Sequence, residues 1–153
     1  MEEMDHDFIY ELIREKFEFL VKDHGFSGPY KAFGGLVSKI WYSAEKLAIE
    51  FTLDRHDQAI NFYFSRLDNG KRPEGYSHNK EGLRIRYRTP TWIWEKEGQE
   101  TKLFNKVTGL PMNEQIKSQI SDYANMLKLY GQRILDDDVS IFDEEIPGDR
   151  GYF

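Results

Sequence analysis

Three arginines at alternate positions form the part of this sequence best suited to holding an anion. Arg84, Arg86 and Arg88 alternate with apolar side chains through the stretch 83–88. Alternate side chains of a β-strand point to the same face of a sheet. The spacing therefore predicts a strand with one basic side and one apolar side.

Basic and aromatic residues flank this strand and extend the candidate binding surface. Arg66 and Arg72 precede it, whereas Trp92 and Trp94 follow it and share one face if that segment is extended. Arginine and aromatic side chains bind single-stranded nucleic acid by charge and stacking, and both types are enriched at protein interfaces. The residues leave two hypotheses open: a partner protein, and a nucleic acid or anionic small ligand.

A structural interpretation of the arginine row stays open as well. Charged side chains on an edge strand prevent pairing with another sheet. A cross-strand ladder would instead pair the arginines with Glu50 or similar groups. The formal net charge is −6, whereas a dedicated nucleic-acid-binding domain is usually basic. This charge balance favours the protein partner over the nucleic acid.

The acidic run Asp136, Asp137 and Asp138 is a second candidate for contact with a partner. It follows the last clear helix, because carboxylates within a final helical turn would oppose the helix dipole. An acidic surface can imitate phosphate charge and speed the encounter with a basic partner. A solvated tail is the structural alternative.

Residues able to perform catalysis or bind a metal do not converge in the sequence. Asp54, His56 and Asp57 have ligand-type side chains, but they fall in a predicted hairpin turn, where aspartate bonds to the backbone. His78 lies in the long connection 65–82. The chain has no cysteine, which excludes thiol chemistry and cysteine-bound zinc. We expect no cofactor and no metal, and an enzyme ranks third among the interpretations.

Alternating apolar residues predict four strands before residue 89. They span 36–42, 47–53, 59–64 and 83–88, and short polar turns join the first three. Short connections require antiparallel hairpins, because a parallel pair needs a crossover of about a dozen residues or more. The pattern predicts an antiparallel β-meander of four to five strands with one apolar face.

Helical periodicity near both ends predicts the second layer of the fold. One helix runs from a cap at Asp5 or Asp7 to Gly25, and another covers 112–135. Residues 27–35 are interpreted as a loop, and the stretch from Pro90 to Glu95 as a strand end or bulge, with an extended segment over 92–95 left open. We expect a single α+β domain, 1–153, with an N-terminal and a C-terminal helix packed on one face of the sheet.

The sequence predicts a cytoplasmic protein that does not contact a membrane. It contains no apolar stretch of the ~20 residues that span a bilayer. Its acidic start lacks the basic and apolar regions of a signal peptide. Homo-oligomer formation stays open.

Three features of the pattern occur together in a known class of proteins. They are Phe19 to Phe26 at the end of the first helix, the three-strand meander, and Tyr123 to Leu135 followed by Asp138 to Phe142. With them the chain resembles small uncharacterised bacterial proteins, some of which are immunity proteins of polymorphic toxin systems. The resemblance implies stoichiometric binding to a cognate toxin without catalysis, often through an acidic surface when the toxin is a nuclease.

Overall fold

The computed structural model describes residues 5–73, 85–97 and 111–143. Its centre is a five-stranded antiparallel sheet in the order β1-β2-β3-β4-β5, so every strand pairs with its neighbours in the sequence. The strands are β1 (Ser27–Ala32), β2 (Val37–Ser43), β3 (Leu47–Asp54), β4 (Ala59–Arg66) and β5 (Arg86–Arg88). The antiparallel meander expected from the alternating pattern is confirmed.

The prediction of a loop over 27–35 is wrong, because Ser27–Ala32 forms the edge strand β1. The strand was not predicted because glycine and proline, here Gly28 and Pro29, are uncommon in strands. A register shift between Ser27 and Tyr30 accommodates them in the pairing with β2. Gly28 has φ +124°, and a Cβ there would lie 2.9 Å from the carbonyl oxygen of Trp41. A proline, an irregular register and the charge of Lys31 all protect an edge strand from pairing with another sheet.

The predicted N-terminal helix is divided in two at Phe17. The first part is α1 (His6–Lys16), which begins where the side chain of Asp5 accepts the N–H of Phe8. The second is α2 (Glu18–His24), which ends at Gly25 in the left-handed conformation with φ +73°. The ring of Phe17, at the break, is fully buried in the core. The cap and the stop were predicted correctly, and the continuity between them was not.

The C-terminal helix is also interrupted. It consists of α4 (Met112–Tyr130) and the short α5 (Gln132–Leu135), separated by Gly131. A Cβ at Gly131 would lie 2.7 Å from the carbonyl oxygen of Leu127, so the chain passes too close to the preceding turn for a larger residue. A 3₁₀ helix (Val139–Asp143) then places two apolar side chains in the core, as expected for a docking segment.

Residues 89–97 form a helix rather than an extended segment, which corrects the prediction for 92–95. In this helix, α3 (Thr89–Glu97), Pro90 lies in the first turn, where its missing N–H breaks no helical hydrogen bond. The helix turns Trp92 into the core and leaves Trp94 52% exposed. The two indoles therefore do not share one face.

The helices pack against the apolar face of the sheet, which we call the inner face. Phe17 contacts Phe51 and Phe62 edge to face, and Tyr123 of α4 lies 4.7 Å from Phe62 between ring centroids. Trp92 of α3 contacts Phe64 in the same core. The expected placement of both terminal helices on one face is confirmed. No helix in the described residues is long and apolar enough to cross a membrane.

Candidate functional site

The face of the sheet that points away from the helices carries polar, charged and aromatic side chains, and we call it the outer face. One row of cross-strand partners crosses all five strands there. The row consists of Tyr30, Trp41, Glu50, Tyr63 and Arg88. Tyr30 is 44% exposed at one end, whereas Glu50 in the middle is only 1% exposed. A buried carboxylate thus stands at the centre of an otherwise accessible surface.

Two arginines and a serine surround the carboxylate of Glu50. The Nη2 atom of Arg86 lies 3.3 Å from Oε1 and 3.2 Å from Oε2 of Glu50. The hydroxyl of Ser65 donates to Oε1 at 3.0 Å, and Nη1 of Arg72 lies 3.6 Å from the same oxygen. A buried charge is tolerated when it is paired and hydrogen-bonded in this way.

Arg72 covers Trp41 as well as approaching Glu50. Its guanidinium carbon lies 3.6 Å from the centroid of the indole ring, which is a cation–π arrangement. Burial lowers the pKa of the Arg72 guanidinium, and the nearby charge of Glu50 opposes that change. Arg86 also donates to the carbonyl oxygen of Pro73 at 2.7 Å. These contacts hold residues 72 and 73, which follow β4, on the outer face.

The described arginines of the predicted row are engaged within the fold. Arg86 is 6% exposed and belongs to the Glu50 cluster. For this arginine, the predicted cross-strand pairing with Glu50 is therefore correct. Arg88 is half-buried and donates to the side-chain oxygen of Asn61 at 3.2 Å. Arg84 lies outside the described residues. Both described members of the row lie on the outer face, opposite Tyr87, which is in the core.

The other basic and aromatic candidates are dispersed. Arg66 approaches Asp143 of the 3₁₀ helix at 3.7 Å, in a pair that is partly exposed. Trp92 lies in the core, and Trp94 lies on the surface of α3. The structure therefore brings together Arg72, Arg86 and Arg88 but joins neither tryptophan to them. Trp41 and Tyr63 supply the aromatic groups of the outer face instead.

Each aspartate of the acidic run has a role within the fold. Asp136 accepts a hydrogen bond from Gln132 at 2.8 Å. Asp137 accepts the backbone N–H of Leu47 at 2.9 Å and that of Lys46, and so supports the turn between β2 and β3. Asp138 accepts the hydroxyl and the backbone N–H of Ser140 and pairs with Arg133, and these bonds lower the pKa of its carboxyl. These contacts account for the three carboxylates structurally.

The turn interpretation of residues 54–57 is confirmed. Oδ1 of Asp54 accepts the backbone N–H groups of His56 at 2.9 Å and Asp57 at 3.1 Å. Within the described ranges no group of three ligand-type side chains could hold a metal ion. His78 lies outside those ranges.

A depression of about 230 Å³ on the outer face adjoins the Glu50 cluster. Side chains of four strands line it, among them Lys39, Thr52, Asn61 and Tyr63. Lys39 pairs across the strands with Thr52, and Thr52 pairs with Asn61, so these three residues form a second polar row. None of these three residues was among the candidates predicted from the sequence. The polar residues that alternate with the apolar ones in each strand could have indicated the row, if the polar positions of neighbouring strands had been aligned with one another.

A larger depression, of about 430 Å³, lies along α1. Two of its three carboxylates belong to exposed helical ion pairs, Glu11 with Arg14 at 3.8 Å and Glu18 with Lys22 at 2.8 Å. Exposed pairs of this kind are typical solvated helix surface and contribute little energy. We therefore place the candidate site on the outer face, where charged groups are buried and fixed.

Comparison with protein-family models, with curated proteins and with solved structures finds no significant match to this chain.

Proposed function

We propose that this protein acts by stoichiometric, non-catalytic binding to a partner protein through the outer face of its sheet. The observation that supports the proposal is the Glu50 cluster, in which a buried carboxylate and two arginines lie beside Trp41 on a face away from the helices. The buried apolar side chains of all five helices belong to the core on the inner face. Fixed arginine and aromatic groups are the residue types that dominate protein interfaces.

Apolar side chains beside the cluster support the same proposal. Tyr30 is 44% exposed, Val37 43% and Leu36 69%, and all three belong to β1, β2 or the hairpin between them. Tyr30 and Val37 lie on the outer face, next to the depression or its aromatic row. An interface needs such apolar area surrounded by polar groups. The protected edge strand β1 argues against binding by strand addition.

The class of partner follows from the resemblance in the sequence. We propose a bacterial immunity protein, for which the partner is a toxin that the protein neutralises by forming a one-to-one complex. The acidic run is committed to hydrogen bonds within the fold, so the outer face is a better contact surface than the run. A toxin gene next to the gene for this chain is the expected genomic arrangement, and its absence would count against the class.

Site-specific photo-crosslinking in the cells that make the protein tests the proposed surface. A benzophenone amino acid replaces Tyr30 on the outer face or, as the matched control, Leu129, which is 71% exposed on α4. We expect the Tyr30 position to capture one protein, and the purified pair to form a one-to-one complex by light scattering. Equal capture at both positions, or none at Tyr30, would contradict the proposal.

Single-stranded nucleic acid is the alternative ligand, favoured by the aromatic groups Tyr30, Trp41 and Tyr63 in one row with Arg88. The carboxylates of Glu50 and Asp54 in the same region weigh against it, since they repel phosphate. Titration with a single-stranded oligonucleotide at about 50 mM and about 200 mM salt separates the two ligands. Tight, salt-sensitive binding would favour the nucleic acid.

A further inference from the structure

The second polar row of the outer face is suited to holding a carboxylate. Lys39 of β2, Thr52 of β3 and Asn61 of β4 are cross-strand neighbours, and all three line the depression. Neighbouring side chains on one face of a sheet have Cβ atoms about 5 Å apart, so the lysine amine can reach a group held over the other two. Their side chains offer an ammonium, a hydroxyl and an amide.

The lysine of this row has no counterion within the part of the chain that the structure describes. No carboxylate there lies within salt-bridge distance of Lys39, and the residue is half-buried beside the depression. The other cations that the structure describes on the outer face are already engaged: Arg72 and Arg86 by Glu50, and Arg88 by Asn61. The unused positive charge of the depression is therefore concentrated on Lys39.

Arg88 also fixes the orientation of the Asn61 amide. Its Nη2 donates to Oδ1 of Asn61 at 3.2 Å, and an arginine can only donate. The amide nitrogen of Asn61 must then point away from Arg88, where it remains a hydrogen-bond donor. With the Thr52 hydroxyl and the Lys39 ammonium, the row presents donors to one incoming anion.

The balance of charge on the outer face favours a single carboxylate over a phosphate backbone. Among the described residues of this face, four cations at positions 39, 72, 86 and 88 accompany two carboxylates at positions 50 and 54, which leaves two excess positive charges in a chain of net charge −6. An acidic partner surface complements this local excess. Two excess charges match a single carboxylate, whereas a run of phosphates is bound by a larger number of excess cations.

We propose that Lys39, Thr52 and Asn61 form a subsite for one aspartate or glutamate side chain of the partner protein. This inference rests on the proposed function and names the chemistry of the partner's contact group. Lys39 supplies the ion pair, while Thr52 and Asn61 orient the carboxylate by hydrogen bonds. Exposed Tyr30 and Val37 contact the apolar surroundings of that side chain.

Titration with model peptides, followed by amide chemical shifts, tests the subsite. The probes are an N-acetylated hexaglutamate peptide, a hexalysine peptide, inorganic phosphate and a single-stranded oligothymidylate. We expect saturable shifts at residues 39, 52 and 61 with hexaglutamate alone. The proposal is overturned if hexaglutamate leaves these amides unchanged, if phosphate binds them equally well, or if the oligonucleotide binds more tightly than the peptide.

Charge variants at position 39 test the role of the lysine, and a charge reversal at position 117 is the matched control. Lys39→Glu should weaken hexaglutamate binding by about tenfold, whereas Lys39→Arg retains it within about threefold. Lys117→Glu, an exposed position on α4, applies the same change in net charge and should have little effect. Equal weakening by both reversals would show a general charge effect and overturn the subsite. Circular dichroism of each variant verifies folding, and Lys39→Gln replaces Lys39→Glu if the latter does not fold.

The photo-crosslinking experiment distinguishes a failure of the proposed subsite from a failure of the proposed function. If Tyr30 captures a partner that Lys39→Glu binds as tightly as the original chain, the subsite is wrong and the proposed function stands. If hexaglutamate binds as expected but Tyr30 captures no protein, the proposed function is wrong.

Discussion

The guanidinium of Arg86 contacts both carboxylate oxygens of Glu50 through one nitrogen, at 3.3 and 3.2 Å. The two residues belong to β5 and β3, which are separated in the sheet by β4. The pair therefore crosses a strand, and the same nitrogen continues to the carbonyl oxygen of Pro73. Glu50 thereby joins β5 to β3, and Arg86 extends the contact to Pro73.

Replacing the buried carboxylate should destabilise the fold strongly. Glu50→Gln removes the carboxylate charge that Arg72 and Arg86 share, and loss of one partner of a buried ion pair costs roughly 3 kcal/mol or more. Urea denaturation should show a lower midpoint and a lower free energy of unfolding. Asp143→Asn, which removes the partly exposed partner of Arg66, is the matched control and should cost less than about 1 kcal/mol. Equal losses in the two variants would show that the Glu50 cluster adds no special stability.

The two neighbouring tryptophans of α3 should respond differently to truncation. Trp92 is 1% exposed and contacts Phe64, so Trp92→Ala should lower the free energy of unfolding by about 3–5 kcal/mol. Trp94 is 52% exposed, so Trp94→Ala should change it by no more than about 0.5 kcal/mol. Denaturation of both variants measures the difference. A large loss from Trp94→Ala would mean that its indole is packed rather than exposed.

The alternation of apolar residues was sufficient to predict the three central strands and the face on which the helices pack. This signal depends on neighbouring residues only, because successive side chains of a strand point to opposite faces. Strand β1 escaped the same analysis, since Gly28 and Pro29 have low strand preference and their irregular register is set by pairing with β2. The break at Phe17 likewise depends on packing against distant parts of the chain, because its ring contacts Phe51 and Phe62.

The candidate site was only partly predictable for a related reason. A ladder between the arginines and Glu50 was one of the alternatives from the sequence, but spacing along the chain could not select it, because Arg86 and Glu50 are 36 residues apart. The sequence did indicate Arg72 and Arg88 as members of one surface. It could not indicate that α3 would turn Trp92 into the core and that Trp41 would take its place beside the arginines.

Within the acidic run, Asp137 should matter most for stability, because its carboxylate caps the backbone N–H groups at the start of β3. Asp137→Ala removes the acceptor for the N–H groups of Lys46 and Leu47 and should cost about 2 kcal/mol. Asp137 has φ +59°, a conformation that asparagine tolerates better than alanine, so Asp137→Asn should cost less. Asp136→Ala, which loses only an exposed bond to Gln132, should stay within about 0.5 kcal/mol. Thermal or urea denaturation of the three variants gives the order, and equal costs would contradict the capping role.

His6, at the start of α1, makes the folding stability of the protein depend on pH. Burial lowers the pKa of His6 and Arg55 lowers it further, although Asp5 and Asp7 act in the opposite direction. Its Nδ1 lies 3.4 Å from Nη2 of Arg55. The unfolded chain takes up a proton near the ordinary histidine pKa of about 6.5, whereas the folded chain resists protonation until a lower pH. The unfolded state therefore binds more protons as the pH falls below about 6.5, and folding stability decreases over that interval.

His6→Phe should remove this part of the pH dependence, because phenylalanine preserves an aromatic contact with Phe33 and does not titrate. Urea midpoints measured at about pH 7.5 and about pH 5.5 should decrease less in the variant than in the original chain. His24→Phe is the control, because it makes the same replacement at the end of α2, where the His24 ring contacts Phe19. It should leave the difference between the two midpoints nearly unchanged. The same decrease in the His6→Phe variant and the original chain would show that the carboxylates, and not His6, cause the loss of stability in acid.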